Sequence, residues 1–353
     1  MAQFIQLHLL TAYAASNLNR DDTGRPKTLK FGGAERLRIS SQSLKRAFRT
    51  SDVFAATLPD SLGKRSTGFT NTLVESLIAR GLSAEDAVAR AGQVVSLGKL
   101  GKLKPNQAKT EQLVHLAPEE LAAINDLAAR LATPETPGEK EVLVLKHKPR
   151  AVDIAMFGRM LADNPGFNVE AAVQVAHAFT THHVTVEDDF YTAVDDIKSA
   201  DAEDRGAGFI GTLEYGAGLF YLYLCINADL LLDNLAGDKA LAGDALEALI
   251  TAAATVSPSG KQNAFASRGR AGYILQELGG ETPRSLAAAF QKPVGAEGEN
   301  DYFQASIHRL DALRAGYAQA YGEKLATHVL CVGEAASETL ADLIGAARAV
   351  YGV

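Results

Sequence analysis

The first hydrophobic pattern in the chain is a short alternation. Residues 4–10 place apolar side chains at every second position, which predicts a strand with one buried face formed by Ile5, Leu7 and Leu9. Residues 16–27 follow with many turn-forming residues and without apolar periodicity. We therefore expect a strand and then a polar loop at the start of the chain.

A short amphipathic helix is predicted directly after this region. Ser40 is suited to begin it, because a serine hydroxyl can accept a hydrogen bond from an amide of the first helical turn. One stripe of the helix is apolar and consists of Leu44, Ala47 and Phe48. The opposite stripe carries an amide and three cations, at Gln42, Lys45, Arg46 and Arg49.

The remaining pattern predicts helices interrupted by a few strands. Helical periodicity covers residues 69–133 (interrupted at 98–109), 151–180 and 238–254. Residues 142–145 read as a short strand, and residues 219–226, apolar on both faces, as a central strand. Residues 133–138 are typical of a linker, and residues 185–211 form an acidic segment without apolar pattern, interpreted as a hairpin.

Charge is distributed unevenly along the chain. The first fifty residues contain nine Lys or Arg and three acidic residues, a net +6, whereas the whole chain of 353 residues carries −7. The remainder therefore carries −13, and this asymmetry favours a polyanion-binding surface near the start. With 47% hydrophobic residues the chain can bury a substantial core, of about two domains by length.

Two cysteines, Cys225 and Cys331, stand far apart in apolar stretches without Cys-x-x-Cys spacing. We interpret them as buried thiols of a reducing compartment. We see neither a targeting pattern nor a stretch long enough to span a membrane. The expectation is a cytoplasmic protein that does not contact membranes.

The basic loop and helix are the main candidate for chemistry. Amides at a helix start, serine hydroxyls and cations one turn later can hold a chain of phosphates. The candidate contacts are Arg20, Lys27, Ser40, Gln42, Lys45, Arg46 and Arg49. The alternative is an ordinary solvated helix face, and Asp21 and Asp22 can neutralise two of the arginines.

Two other polar segments are weaker candidates. Lysines interrupt the predicted helices at Lys99, Lys102, Lys104 and Lys109, where they form either a second phosphate contact or a flexible exposed loop. Lys261, Gln262 and Asn263 follow a Pro-Ser-Gly sequence and could hold sugar or backbone groups of a nucleic acid. A tight turn is the commoner meaning of that sequence.

Signals for catalysis are weak. Asp21 and Asp22 could hold Mg²⁺ for cleavage of a phosphodiester, but we identify no third carboxylate to complete the site. His182 and His183 are adjacent, so in an extended segment their side chains point to opposite faces. We expect no enzyme, no metal and no cofactor, and keep a Mg²⁺-dependent ribonuclease using Asp21 or Asp22 as the alternative. A third hypothesis is a protein-assembly subunit that does not bind RNA.

Several motifs resemble one known family. They include Ser-Asn-Leu-Asn-Arg-Asp-Asp, Gly-Arg-Pro-Lys and Arg-Leu-Arg-Ile-Ser-Ser-Gln-Ser-Leu-Lys-Arg-Ala, at residues 16–22, 24–27 and 36–47, with further blocks at residues 153–160, 175–182, 186–196, 211–215 and 259–268. Together they resemble the CasC family, the backbone subunit of the type I-E CRISPR surveillance complex Cascade. Ala14 and Ala15 depart from the prolines expected there.

The resemblance implies an α+β fold of the RAMP superfamily. Its palm is similar to an RNA-recognition motif (residues 1–60 and 216–353), with a helical fingers insertion (61–180) and an acidic thumb hairpin (181–215). In such proteins the thumb reaches over the guide RNA and pushes a nucleotide out of the stack. Candidates for that contact are Phe190 or Tyr191 and Met156 or Met160, although methionines at helical spacing are more often core residues.

The resemblance also implies a function and a set of partners. We expect a non-catalytic scaffold that polymerises along CRISPR RNA, grips its backbone and leaves base edges free to pair with target DNA in antiviral defence. The expected partners are CRISPR RNA, target DNA through guide pairing, further copies of the chain, other Cascade subunits and a recruited helicase-nuclease. Lys99, Lys102 and Lys104 are weak candidates for DNA contact.

Overall fold

The computed structural model describes residues 3–104, 109–132, 143–194, 207–295 and 301–353. Eleven strands lie in these ranges: β1 Phe4–Ser16, β2 Thr28–Phe31, β3 Ala34–Ile39, β4 Lys64–Ser66, β5 Val114–Leu116, β6 Val173–Val175, β7 Ala178–Thr180, β8 Glu187–Val194, β9 Ala207–Asn227, β10 Ala271–Gly279 and β11 Ala326–Cys331. Nine of them form one antiparallel sheet in the order β11-β10-β1-β9-β7-β3-β2, with β6 and β8 also paired to β9. β4 and β5 pair separately.

The described ranges also contain eleven α-helices: α1 Ser41–Arg49, α2 Asp52–Thr57, α3 Phe69–Ala79, α4 Ala84–Leu97, α5 Pro118–Leu131, α6 Val152–Phe157, α7 Ala228–Asn234, α8 Lys239–Thr255, α9 Gln262–Phe265, α10 Tyr302–Tyr321 and α11 Leu340–Arg348. Short 3₁₀ turns occur at Pro165–Phe167, Ala287–Phe290 and Ala349–Tyr351. None of the described helices is long and apolar enough to cross a membrane.

Strand β1 lies in the middle of the sheet and is covered on both faces. Leu7 is paired with Leu224 of β9 on one side and with Gln276 of β10 on the other. Ile5, Leu7 and Leu9 enter the core that contains α8, whereas Leu10 enters the core that contains α10. The predicted strand is confirmed and is longer than expected, but the prediction of a single buried face was incomplete, because helices pack on both sides of the sheet.

A third core belongs to α3, α4 and α5, which pack against one another away from the main sheet. Asp153 connects this helical part to α6, whose Val152 and Met156 are part of the main core. Its Oδ1 accepts a bond from the Gly63 amide at 2.7 Å, and its Oδ2 lies 2.8 Å from Nε2 of His115. The expected α+β class is confirmed as a mixture of helices with a large antiparallel sheet, while the RNA-recognition-motif-like palm and the domain boundaries remain predictions.

A buried polar network ties the sheet to the segment after α10. His8 contacts Tyr221 and Glu277, and Arg284 pairs with both Glu277 and Glu323. Burial alone raises the pKa of Glu277, but bonds from Arg284 and His8 outweigh it and hold the pKa at about 2. Burial lowers the pKa of His8.

The outer side of edge strand β11 bonds to a later segment of the same chain. The Val329 amide donates to the Glu338 carboxylate, and the Glu338 amide donates back to the Val329 carbonyl at 3.0 Å. The Cys331 amide donates to Ser337 Oγ at 2.7 Å. Backbone groups that face outward from a sheet edge are therefore already satisfied at these positions.

The predicted elements and the structure differ in three places. Within residues 151–180, only α6 and a 3₁₀ turn are helical, and β6 and β7 instead join the sheet beside β9. Residues 143–145 of the predicted short strand are not in a strand. Residues 28–39 form the β2–β3 hairpin, which was not predicted from the sequence.

Other predicted elements are confirmed, and some predicted segments lie outside the described residues. The central strand at residues 219–226 is part of β9, the helix at 238–254 is α8, and β8 and β9 form the expected hairpin. The predicted linker at residues 133–138, residues 105–108 of the lysine loop and residues 195–206 of the acidic segment lie outside the described residues.

Candidate nucleic-acid interface

Helix α1 forms as its sequence predicts. Ser40 is the N-cap, with extended backbone angles, and its Oγ accepts a bond from the Ser43 amide at 3.3 Å. Leu44 and Phe48 are buried in the main core, so the polar stripe faces outward. The first turn contains no acidic residue, which leaves the positive end of the helix dipole without a carboxylate in that turn.

The loop before β2 is built by its own hydrogen bonds and is attached to α1. Asn17 Nδ2 donates to the carbonyls of Gly24 and Glu214, at 3.0 and 2.8 Å. Asn19 Oδ1 accepts from the Ser40 amide at 2.9 Å. Asp21 closes the turn inside the loop, and the loop therefore has a defined position beside the start of the helix.

A groove of about 520 Å³ lies between three parts of the chain. Its walls are residues 18–21 of the loop, the segment 256–260 after α8, and the side of α1 and its continuation that carries Ser43, Arg46, Ala47, Thr50 and Ser51. Two walls approach closely at Gly260, because a Cβ at this position would lie 2.3 Å from the Leu18 carbonyl oxygen.

The groove carries two arginines, one aspartate and several hydroxyls. Arg20 and Arg46 are exposed, and neither forms an ion pair in the described part of the chain. Asp21 is the acidic residue of the wall. The structure thus places Arg20 and Arg46, two residues of the predicted phosphate-binding surface, in the lining of one groove.

Lys45 and Arg49 lie on the other side of α1, beside α6. Lys45 Nζ is 5.9 Å from the centre of the Phe157 ring, and burial lowers its pKa. Arg49 is 16% exposed and its NH1 lies 3.6 Å from Asp153 Oδ2. Both side chains therefore already have protein contacts, and a phosphate would have to compete with these.

The remaining predicted RNA contacts of this region differ in how far their side chains are exposed to solvent. Gln42 is exposed, Lys27 is half-buried, and Ser40 retains only 7% exposure. The Ser40 hydroxyl is engaged as the helix cap, so its described role is structural.

The segment at Lys261, Gln262 and Asn263 is a tight turn that opens α9. Lys261 adopts a left-handed conformation with φ of 52° and is exposed, as is Asn263. Gln262 Nε2 donates to the carbonyls of Pro258 and Ser267, at 3.0 and 2.9 Å. Gln262 therefore holds the wall of the groove together.

The side chains predicted to push a nucleotide out of the stack differ clearly in exposure. Met156 is 0% exposed in the main core, so its assignment as an RNA contact is corrected: it was chosen on the family resemblance, and α6 turns it inward as the alternative of a core residue predicted. Met160 is 80% exposed, Phe190 on β8 is 65% exposed, and Tyr191 is 45% exposed. Met160 and Phe190 are therefore the most exposed of the four side chains.

The lysine loop is separate from the groove walls. Lys99, Lys102 and Lys104 are all exposed, and Lys99 Nζ lies 5.9 Å from the centre of the Phe167 ring. The loop follows α4 in the helical part of the molecule.

Asp21 has a clear structural task. Its Oδ1 accepts bonds from Thr23 Oγ1 at 2.8 Å, from the Thr23 amide at 2.9 Å and from the Arg25 amide at 3.0 Å. These bonds, the Thr23 hydroxyl first, lower its pKa. Across the described ranges, no group of three or more His, Cys, Asp or Glu side chains is placed to hold a metal ion.

Sequence reasoning missed one wall of the groove. It singled out Lys261, Gln262 and Asn263, whereas Ser257, Ser259 and Gly260 are the residues that line the space. The Pro-Ser-Gly signal marked the turn correctly, but nothing in the local sequence indicates that it packs on Leu18, more than 200 residues earlier.

Comparison with known proteins adds three findings. The family model described as CT1975-like protein matches residues 5–348. A chain of a CRISPR RNA-guided surveillance complex in a pre-nicking state is 34% identical, with a TM-score of 0.84, over 99% of this chain and 100% of that chain. A chain of a second CRISPR RNA-guided surveillance complex is 29% identical, with a TM-score of 0.71, over 98% and 99% of the two chains.

No curated protein matched the chain. The family match covers nearly the whole chain, and both structural matches extend over the sheet and the helical part alike. The predicted resemblance is confirmed: the chain belongs to the CT1975-like family and is a CasC-like protein of the Cascade type.

Proposed function

We propose that this protein is a non-catalytic RNA-binding scaffold of a CRISPR RNA-guided surveillance complex, and that the groove beside α1 grips the backbone of the guide RNA. Similarity to subunits of such complexes supports a role in a CRISPR RNA-guided complex. The observation that carries the proposed grip is the groove itself, where Arg20 and Arg46 meet on one surface without ion-pair partners among the described residues.

The contact chemistry suits a guide whose sequence varies. Guanidinium, hydroxyl and amide groups bind phosphates and sugars without reading bases. Base edges then remain available for pairing with a target, which reads the sequence instead of the protein. The finer proposal follows the type I-E Cascade pattern: several copies polymerise along one CRISPR RNA beside other subunits, and a recruited helicase-nuclease cuts the paired DNA.

Other candidate contacts extend the same proposal. Further phosphate contacts around the groove would come from Lys27, Gln42, Lys45, Arg49 and Lys261. Of these, Lys45 and Arg49 would have to leave their contacts with Phe157 and Asp153 to bind phosphate. Phe190 and Met160 offer exposed apolar surface for stacking on displaced bases. Lys99, Lys102 and Lys104 are proposed to meet the target DNA strand.

The test replaces both groove arginines. We expect Arg20→Ala with Arg46→Ala to weaken binding of labelled single-stranded RNA by a similar factor for unrelated sequences. Loss of two phosphate contacts also lowers the slope of log affinity against log salt by about 1.4, at about 0.7 for each contact. Fluorescence anisotropy over a salt series measures both quantities.

The matched control removes two cations elsewhere. Arg314 is on α10, which packs on the opposite face of the sheet from α1, and Lys324 follows that helix. Arg314→Ala with Lys324→Ala should leave the salt slope unchanged. An equal effect of both double variants would contradict a specific groove. A denaturing gel of the same samples with Mg²⁺ tests the ribonuclease alternative, since intact RNA is expected throughout.

A further inference from the structure

The groove contains one feature that phosphate binding alone does not explain. Asp21 lies in its wall beside Arg20, and a carboxylate repels phosphates. The bonds from the Thr23 hydroxyl, the Thr23 amide and the Arg25 amide all go to Oδ1. None of these bonds uses Oδ2, and Asp21 forms no ion pair in the described part of the chain.

Three of the hydroxyls that line the groove donate to carbonyls of the protein. Thr50 Oγ1 donates to the Arg46 carbonyl at 2.8 Å, and Ser51 Oγ donates to the Phe48 carbonyl at 2.7 Å. Ser257 Oγ donates to the Gly269 carbonyl at 3.2 Å. Among the groove side chains, the Asp21 carboxylate is the charged acceptor, so an incoming group that donates a proton has a strong partner there.

A single-stranded RNA differs from DNA by such a donor on every sugar, the 2′-hydroxyl. We propose that Asp21 Oδ2 accepts a hydrogen bond from a ribose 2′-hydroxyl and thereby makes the groove selective for RNA over DNA; this rests on the proposed function of the groove. RNA gains a charge-assisted hydrogen bond, whereas DNA meets the same negative charge without compensation. Discrimination thus combines an attractive contact for one ligand with repulsion of the other.

This role agrees with the position of the residue in the loop. The bonds to Oδ1 fix the carboxylate, so Oδ2 is presented without a large loss of side-chain freedom on binding. Arg20, the adjacent residue, can hold the phosphate next to that sugar. One nucleotide would therefore be held at two points by neighbouring side chains.

The experiment compares three single strands of one sequence: RNA, DNA and 2′-fluoro RNA, whose fluorine cannot donate. Full-length wild-type protein should bind RNA at least about tenfold more tightly than either analogue at one salt concentration. Asp21→Asn keeps an acceptor at the Oδ1 position and places an amide donor at Oδ2. We expect its three affinities to lie within about threefold of one another, chiefly through tighter binding of DNA.

The matched control is Asp22→Asn, which removes the same charge from an exposed neighbour that does not line the groove. It should keep the wild-type ratio of RNA to DNA affinity. An unchanged ratio in Asp21→Asn, or an equal change in Asp22→Asn, overturns the inference. Failure of the proposed function is distinguishable, since Arg20→Ala with Arg46→Ala would then leave RNA affinity unchanged.

Discussion

At the scale of single residues, the groove depends on a position where no side chain fits. Gly260 lies against the Leu18 and Asn17 carbonyls, and a Cβ would come within 2.3 and 2.8 Å of their oxygens. Both contacts involve backbone, so relief requires a movement of one groove wall rather than a change of rotamer. Glycine is therefore required here by close approach of two chain segments.

We expect Gly260→Ala to separate the walls, to weaken RNA binding by about fivefold and to lower the free energy of unfolding by about 1–2 kcal/mol. Anisotropy titration and urea unfolding measure the two effects. Gly345→Ala is the control, because that position in α11 has open space and alanine favours the helix. Unchanged RNA affinity in Gly260→Ala would show that the groove is not where RNA binds.

The burial of Arg36 could not be predicted from its local sequence. The sequence places it in a basic stretch, and it was counted with the positive charge of that region. In the fold it is fully buried, and its guanidinium donates to the carbonyls of Thr180 and Phe290 at 2.9 and 3.0 Å. Both partners are more than 140 residues away, and no local pattern identifies them.

At the scale of elements, Ser40 caps helix α1 and is also a predicted RNA contact. The Ser40 hydroxyl caps the helix, and the amides of that turn were also predicted to hold phosphate. Two substitutions separate the tasks, because alanine removes the cap and aspartate keeps it while adding negative charge.

We expect Ser40→Ala to lower the free energy of unfolding by about 1 kcal/mol with little change in RNA affinity. Ser40→Asp should keep most of the stability and weaken RNA binding, since its carboxylate faces the approaching phosphates. Thermal unfolding and anisotropy measure the pair. If Ser40→Asp binds RNA as the wild type does, phosphate does not approach the start of α1.

Elements with strong local signals were predictable, and elements made by distant pairing were not. A cap followed by an amphipathic stripe identified α1, and an apolar run identified β9. Residues 151–180 kept helical periodicity, yet Gly158 has a φ of +80° and ends α6, after which β6 and β7 pair with β9. Tertiary pairing overrode the local pattern there.

At the scale of the whole molecule, the network of His8, Glu277 and Arg284 makes stability depend on pH. The folded-state pKa of Glu277, about 2, lies below its usual 4.5, so the unfolded chain binds more protons as the pH falls through that window. The lowered pKa of His8 adds a loss of stability that begins below its usual 6.5.

We expect Glu277→Gln to lower the free energy of unfolding by about 3 kcal/mol near neutral pH, because Arg284 and His8 lose a buried charged partner. The decline of stability between pH 4.5 and 2 should become shallower than in the wild type. Urea unfolding at a series of pH values measures both. The exposed Glu281 offers the control Glu281→Gln, and identical pH profiles for the two variants would contradict this account.

The groove itself was predictable only in parts. The sequence indicated the basic loop, the helix and the Pro-Ser-Gly turn separately. Their meeting depends on β1 lying between β9 and β10, which brings residues 18–21 beside residues 256–260. That proximity is a property of the sheet order, and a single sequence contains no local signal for it.

The bonds that close the outer side of β11 have a consequence for timing. The proposed function places several copies of the chain on one guide RNA, and an open sheet edge would let such copies join through their sheets without it. Here Val329 and Cys331 are already bonded to Ser337 and Glu338, so sheet growth from this side is disfavoured at these positions. Under the proposed function, newly made molecules would then remain separate until a guide RNA is present, and the length of that RNA would set how many of them assemble.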